Sequence, residues 1–134
     1  VVAMYGGIIV PKSDIAKYRE LIGGIRGIQV EEDFYICPTE PAGGLFNHSC
    51  EPTLGYGSQI TIVAVRDVAA DEELVFDYAF SETNFEPFDC TCGNKTCRRT
   101  IKPTDWQSSD LQKKWGDYFT PLLQSKFVEK NSKQ

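Results

Sequence analysis

The stretch "CTCGNKTC", residues 90 to 97, places Cys90, Cys92 and Cys97 within eight positions, and no other part of the sequence restricts the fold as tightly. Cys90 and Cys92 are too close to bridge without straining a disulfide. The chain has five cysteines, the other two being Cys37 and Cys50, so complete pairing would leave a thiol over. A secreted disulfide framework is a poor fit, and a structural zinc ion is a better one. Such an ion takes four soft ligands in a tetrahedron; this loop offers three, and Gly93 permits the sharp reversal they need. The fourth has to come from elsewhere, with Cys50, Cys37 and the only histidine, His48, as candidates.

The remaining sequence must form one domain around that tie. At 134 residues and 41% hydrophobic, it is large enough for one core and too small for two. No apolar run approaches the roughly 20 residues needed to span a bilayer. The start, "VVAMYGGIIVPKSD", lacks the flanks of a signal peptide, so the expected location is intracellular, with no membrane partner. A formal net charge of -5 argues against direct nucleic-acid binding and favours basic ligands. Two glycosylation sequons, at Asn47 and Asn94, interleave with the cysteines and read as accidental.

Short strands dominate the pattern. "VVAMYGGIIV" reads as one strand bent at Gly6-Gly7. In "SDIAKYRELIGG" the period changes, which predicts a short helix with Ser13 as N-cap and Gly23-Gly24 as its stop. "GIQVEEDFYICP" gives two strands turning near Glu32-Asp33, "SQITIVAVRDV" the strongest strand, and "LVFDYAF" another after the turn "AADEE". Residues 81 to 99 are loop-like, and the tail returns to helical spacing, with Thr120 capping a helix that has Pro121 in its first turn. The expected class is mainly β with short helices, α+β rather than a parallel βαβ sheet.

Three segments, "NHSCEP", "AVRDVAADEELVFDYAF" and "CTCGNKTCR", resemble in order and separation the signatures of SET-domain protein lysine methyltransferases, the third being their post-SET element. The resemblance covers about residues 1 to 101, and the tail is similar to that of small stand-alone SET proteins. It implies the SET β-clip fold, with a SET domain at 1–86, a post-SET zinc segment at 87–101 and a helical extension at 102–134. It further implies that Cys50 joins Cys90, Cys92 and Cys97 around one zinc ion, leaving Cys37 as a small apolar side chain. One metal would thus pin the post-SET loop against a ligand forty residues earlier. Four thiolates and one zinc dication lower the formal charge by two more.

The implied activity is transfer of methyl groups from S-adenosylmethionine to lysine in a basic protein or peptide, with histone tails the leading substrate. The location would be nuclear in a eukaryote and cytoplasmic in a bacterium. Tyr78 matches the catalytic tyrosine, Tyr5 a tyrosine lining the lysine channel, and Phe76 the position where phenylalanine or tyrosine sets the degree of methylation; phenylalanine there predicts di- or trimethylation. Asn47, Phe46, His48 and Tyr78 match residues at the cofactor, His48 largely through its backbone. Trp106 and Phe88 flank the zinc loop and could close over cofactor or substrate, packing being the commoner role of such aromatics; Glu82, Glu86 and Asp89 could attract a basic peptide, a solvated acidic loop being the commoner explanation. The family's N-terminal glycine-rich segment has no counterpart here, since Gly6-Gly7 follows Tyr5, so the cofactor pocket is expected to lack one wall over these residues. The rival reading is a catalytically silent SET module that binds a basic peptide or protein.

Overall fold

The computed structural model describes residues 1–21, 27–39 and 46–132. Among the described residues, ten short strands and three α-helices follow the sequence: β1 (Ala3–Met4), β2 (Ile8–Pro11), α1 (Ile15–Leu21), β3 (Ile28–Glu31), β4 (Phe34–Cys37), β5 (Asn47–His48), β6 (Leu54–Tyr56), β7 (Thr61–Ala64), β8 (Val75–Phe76), β9 (Phe88–Asp89), β10 (Thr100–Ile101), α2 (Ser109–Trp115) and α3 (Pro121–Ser132). They form a five-stranded sheet in the order β1-β7-β6-β8-β5, a three-stranded sheet β2-β4-β3 and the small pair β10-β9. The mixed, mainly β class is as expected.

The N-terminal run is two strands in two sheets, not one bent strand. β1 pairs with β7 through Ala3↔Ile62 and Met4↔Thr61, while β2 pairs with β4 from Ile8↔Cys37 to Pro11↔Phe34. Gly7 makes the passage between sheets possible: a Cβ on it would lie 1.8 Å from the carbonyl oxygen of Cys37, and its φ is +153°. Only a residue without a side chain fits against the β4 backbone there. The turn expected near Glu32-Asp33 does join β3 to β4.

Two expected helix caps differ. Ser13 lies inside a 3-10 turn, Lys12–Asp14, that precedes α1, and its hydroxyl donates to Asp14 Oδ1 instead of capping the helix. At α3, the carbonyl of Thr120 accepts from Leu123 and Gln124 N–H, but its buried Oγ1 makes no hydrogen bond among the described residues. Thr120 starts the helix through its backbone alone. The glycine stop expected for α1 lies outside the described residues.

The main core joins the β sheet to the tail. Leu54, Tyr56, Ile62 and Phe80 from the first part of the chain pack with Phe119 and Leu123 from the last, all 4% exposed or less. Phe119 lies 4.6 Å from Phe80 between ring centroids, and Thr120 N–H donates to the Phe80 carbonyl at 2.9 Å. The tail is therefore buried against the turn that carries residues 78–80. A separate small core holds Val10, Ile15, Tyr35 and Cys37, so Cys37 is an interior apolar side chain remote from the cysteine cluster.

Candidate functional site

The site is built where two parallel strands end together. β5 pairs with β8 as Asn47↔Val75 and His48↔Phe76, and β6 pairs with the other edge of β8 through Leu54↔Phe76. Residues 49–53 must therefore cross the end of β8, and Ser49 and Thr53 hold it by donating to the carbonyls of Phe76 and Val75. Cys50 sits on that crossing. The chain leaving β8 runs immediately into Asp77 and Tyr78, so one end of the sheet delivers the distant cysteine and the tyrosine to the same place.

Tyr78 is not on a strand. It opens a 3-10 turn, Tyr78–Phe80, and the side chain of Asp77 caps that turn by accepting from Ala79 N–H at 3.0 Å. The expectation that Phe76 and Tyr78 share one face of an extended strand is thus corrected, although the turn still brings their rings to 5.0 Å between centroids. His48 and Phe88 complete the cluster, at 5.2 and 5.7 Å from the Tyr78 ring, and Phe46 and Tyr56 flank Phe76 at 6.5 and 6.0 Å. The Tyr78 hydroxyl donates to the carbonyl of Phe46 at 3.1 Å.

Beside this cluster, the sulfurs of Cys50, Cys90, Cys92 and Cys97 all lie within 4.8 Å of one another, and those of Cys50 and Cys90 are 3.8 Å apart. Tetrahedral zinc with bonds of about 2.3 Å requires sulfur separations of about 3.8 Å, so the set fits the ion. Gly93 has a φ of +73°, the left-handed conformation expected for the loop reversal. Arg99 also has a positive φ, +68°, and its N–H points at Cys97 Sγ at 3.4 Å; Cys92 N–H meets Cys90 Sγ and Arg98 N–H meets Cys50 Sγ at the same distance. Such contacts offset the negative charge that thiolates bring. Without a cation that charge is costly, since burial pushes the Cys50 and Cys90 thiols up.

The single histidine is held at both ring nitrogens. Tyr78 N–H can only donate, and it points at His48 Nδ1 at 3.2 Å, so that nitrogen carries the lone pair and the proton of the neutral ring sits on Nε2. Nε2 faces Cys50 Sγ at 3.6 Å. The imidazole therefore donates towards the ligand sulfur while accepting from the tyrosine backbone. The four cysteine sulfurs already make up a group of four that could hold a metal ion without it.

Sequence reasoning missed Asp77 and Arg98. Asp77 is fully buried, and Arg98 meets both its oxygens, Nη1 to Oδ2 at 2.5 Å and Nη2 to Oδ1 at 2.8 Å, while Nε donates to Asp105 at 3.0 Å. Burial alone would lower the guanidinium's affinity for its proton, but Asp77 and then Cys50 and Asp105 hold it above the ordinary value. Losing Arg98 alone would strand a buried carboxylate at about 3–5 kcal/mol. The available signal was an arginine directly after the last cysteine and an aspartate directly before the tyrosine.

Other singled-out residues fall as follows. Asn47 is exposed and donates to Glu73 Oε1 at 2.7 Å. Tyr5 is half-buried near Cys37 and Glu82; burial first, then those two groups, raise its phenol well above the usual range, so it stays a neutral donor. Trp106 stacks on Phe127 of α3 at 6.1 Å, within the core that carries Phe119. Glu82 is not on a solvated loop: it is buried and lies 3.6 Å from Arg19. Glu86 and Asp89 are exposed.

Comparison with known proteins identifies a family. The SET domain family profile matches residues 11–79. The chain is 34% identical over 102 residues to "Histone-lysine N-methyltransferase, H3 lysine-4 specific" of Eremothecium gossypii, which covers 66% of this chain and 10% of that protein. It is 32% identical over 112 residues to "Histone-lysine N-methyltransferase trithorax" of Drosophila virilis, covering 72% of this chain and 3% of that protein. The chain thus spans a tenth or less of the length of these curated relatives. With the profile covering half the sequence and the cysteines and tyrosine converging on one sheet end, the chain belongs to the SET domain family.

Proposed function

We propose that the protein is a lysine N-methyltransferase that uses S-adenosylmethionine and acts on a basic protein tail, histone H3 being the class favoured by the names of its relatives. The observation that carries the reading is the Tyr78 hydroxyl, aimed at the Phe46 carbonyl within a cluster of aromatic rings and adjoining a four-cysteine metal set. Zinc would be held by Cys50, Cys90, Cys92 and Cys97 and would supply a fixed cross-link, with no part in bond making. S-adenosylmethionine, when bound, supplies an electrophilic methyl group on a sulfonium.

The chain's own residues would then do three things. Asn47 has its amide N–H₂ turned to Glu73, which leaves its carbonyl oxygen as the acceptor to offer the cofactor's α-ammonium. Phe46 and His48 would form the adjoining wall, whereas Trp106 lies against Phe127 in the core. The rings of Phe76 and Phe88 exclude water, which favours the neutral lysine amine over its ammonium form. Tyr78 would orient that amine once its proton has passed to solvent, and Tyr5 would line the channel as a neutral phenol, so that the nitrogen lone pair faces the donor's methyl group, whose bond to the sulfonium is the one that breaks. Binding energy enters through orientation and not through a covalent intermediate.

A phenyl ring at 76 leaves room that a hydroxyl, or the water it holds, would fill. Phe76→Tyr is therefore expected to cut di- and trimethyl product by about tenfold or more while keeping monomethylation within about threefold, a shift of about 1–2 kcal/mol. Mass spectrometry of a methylated histone peptide over time reads the distribution; abundant trimethyl product from the variant contradicts the role.

Incubation with S-adenosylmethionine labelled on its methyl group and mixed core histones tests the function itself. Label is expected on histone and is expected to be lost on adding excess S-adenosylhomocysteine. Histone binding with no transfer supports the silent module instead.

A further inference from the structure

We infer that the metal loop controls the position of the Tyr78 hydroxyl through Arg98 and His48, making Arg98 a positioning residue for the reaction. This rests on the reading of Tyr78 as the residue at the amine.

Two paths run from Cys50 to the turn that carries Tyr78, and they meet where His48 Nδ1 lies 3.7 Å from Asp77 Oδ1. In the first, Arg98 N–H points at Cys50 Sγ while its guanidinium grips both oxygens of Asp77, and Asp77 in turn caps the turn at Ala79 N–H. In the second, the His48 ring spans from Cys50 Sγ at Nε2 to Tyr78 N–H at Nδ1. Both paths start at the one ligand that does not belong to the cysteine loop, and both end within a residue of Tyr78. The members are buried or nearly so: Asp77 is fully buried, and the side chains of His48 and Arg98 are 5% and 20% exposed. A planar fork on a buried carboxylate fixes direction as well as distance. The third arm of Arg98, to Asp105, ties the same guanidinium to the segment just before Trp106. A surface counterpart holds the outer side, where Glu51 accepts from Lys114 of α2 and from Thr96 of the cysteine loop.

The geometry has a consequence that simple stabilisation lacks. If the cysteine loop is drawn together by its ion, Arg98 sits where its fork meets Asp77; if the loop relaxes, the fork withdraws and the turn loses the partner that fixes its cap. The phenol then moves relative to the Phe46 carbonyl, while Asn47, which bonds Glu73 and no member of either path, keeps its place. The expected signature is a fall in turnover at nearly constant KM for both substrates.

The test uses protein labelled with ¹³C at the tyrosine ring, with the Tyr78 resonance assigned by its absence in Tyr78→Phe. In the wild type, removing zinc with a chelator is expected to shift or broaden that resonance, and adding zinc back to restore it. The variant pair Arg98→Met with Asp77→Asn removes both charges together, so neither is stranded, and the Asn carbonyl can still cap Ala79 N–H. It is expected to bind zinc within about tenfold of the wild type. Its Tyr78 resonance should already be displaced, and zinc removal should move it by less than half the wild-type amount. Turnover should drop about tenfold or more with KM held within about threefold. Arg98→Lys, which keeps the charge without the fork, is expected to fall between the two.

The inference is overturned if the double variant keeps a wild-type resonance and wild-type turnover, or if it loses zinc affinity by more than about a hundredfold, which would make Arg98 a part of the metal loop's own construction. The resonance needs no catalysis. A protein that shows the zinc-dependent shift but transfers no methyl group therefore refutes the enzymatic reading and leaves the coupling standing.

Discussion

Replacing Cys50 with serine is expected to weaken zinc binding by more than about a hundredfold, because even the outer partners of metal ligands are worth ten- to a hundredfold. Cys50 alone comes from outside the cysteine loop, so its loss opens the clamp between residue 50 and residues 90–97. The three remaining thiols could still hold an ion by themselves, but that ion would no longer tie the loop to the end of β8. Amide exchange should report the difference locally: Arg98, whose N–H faces the Cys50 sulfur, should lose protection, while Tyr56 and Ile62 in the sheet should keep it. Excess chelator added to the wild type should reproduce the pattern. Unchanged protection in the loop, in either experiment, would mean that the sulfurs do not hold it.

Tyr78→Phe should lower methyl transfer by about 10² to 10³-fold, the cost of losing one positioned donor at a reacting group. The change removes only a hydroxyl. In the folded protein that hydroxyl donates to the Phe46 carbonyl at a half-buried position, and losing such a bond costs about 1 kcal/mol. Zinc content and affinity for S-adenosylhomocysteine should be unaffected, because neither the sulfurs nor Asn47 meet the phenol oxygen. The contrast separates the two variants: serine at 50 acts on the fold around the site, and phenylalanine at 78 acts on the chemistry alone. A Tyr78→Phe protein with full activity would remove the tyrosine from the mechanism.

The parts of this site that could be read from sequence are those set by local spacing or residue chemistry. Three cysteines in eight positions suggest a metal loop by spacing alone, and a soft donor set of that kind suits zinc. The partner from the middle of the chain came from resemblance alone, since spacing left Cys50, Cys37 and His48 open. The turn at Tyr78 was misread for a definite reason. Phe76, Tyr78 and Phe80 alternate with Val75, Asp77 and Ala79, which is a strand's period, but the Asp77 carboxylate bonds its own backbone two residues on and tightens the chain into a 3-10 turn. Glu82 was misjudged because its neighbour Arg19 is distant in sequence, and no local pattern shows that a carboxylate in a polar stretch will be covered. The Asp77–Arg98 pair was missed on the same ground: it exists only once β8 and the cysteine loop have been brought together.

The tail shows how packing adds to local pattern. Its helical spacing was visible, yet nothing in that spacing says that Phe119 will lie against Phe80, two residues beyond the tyrosine. Burial of Phe119 and Leu123 in the same core as Leu54 and Tyr56 makes the last third of the chain a support for the turn. Each such aromatic contact adds about 0.5–1.5 kcal/mol to what area burial supplies.

Tandem mass spectrometry of histone H3 incubated with the protein and S-adenosylmethionine tests the central claim most directly, with Tyr78→Phe run beside it. Added methyl groups should appear on lysine side chains, with two or three on one nitrogen among the products, and should nearly vanish with the variant. Methylation confined to arginine, or an unmodified histone alongside normal zinc content and tight S-adenosylhomocysteine binding, would contradict it.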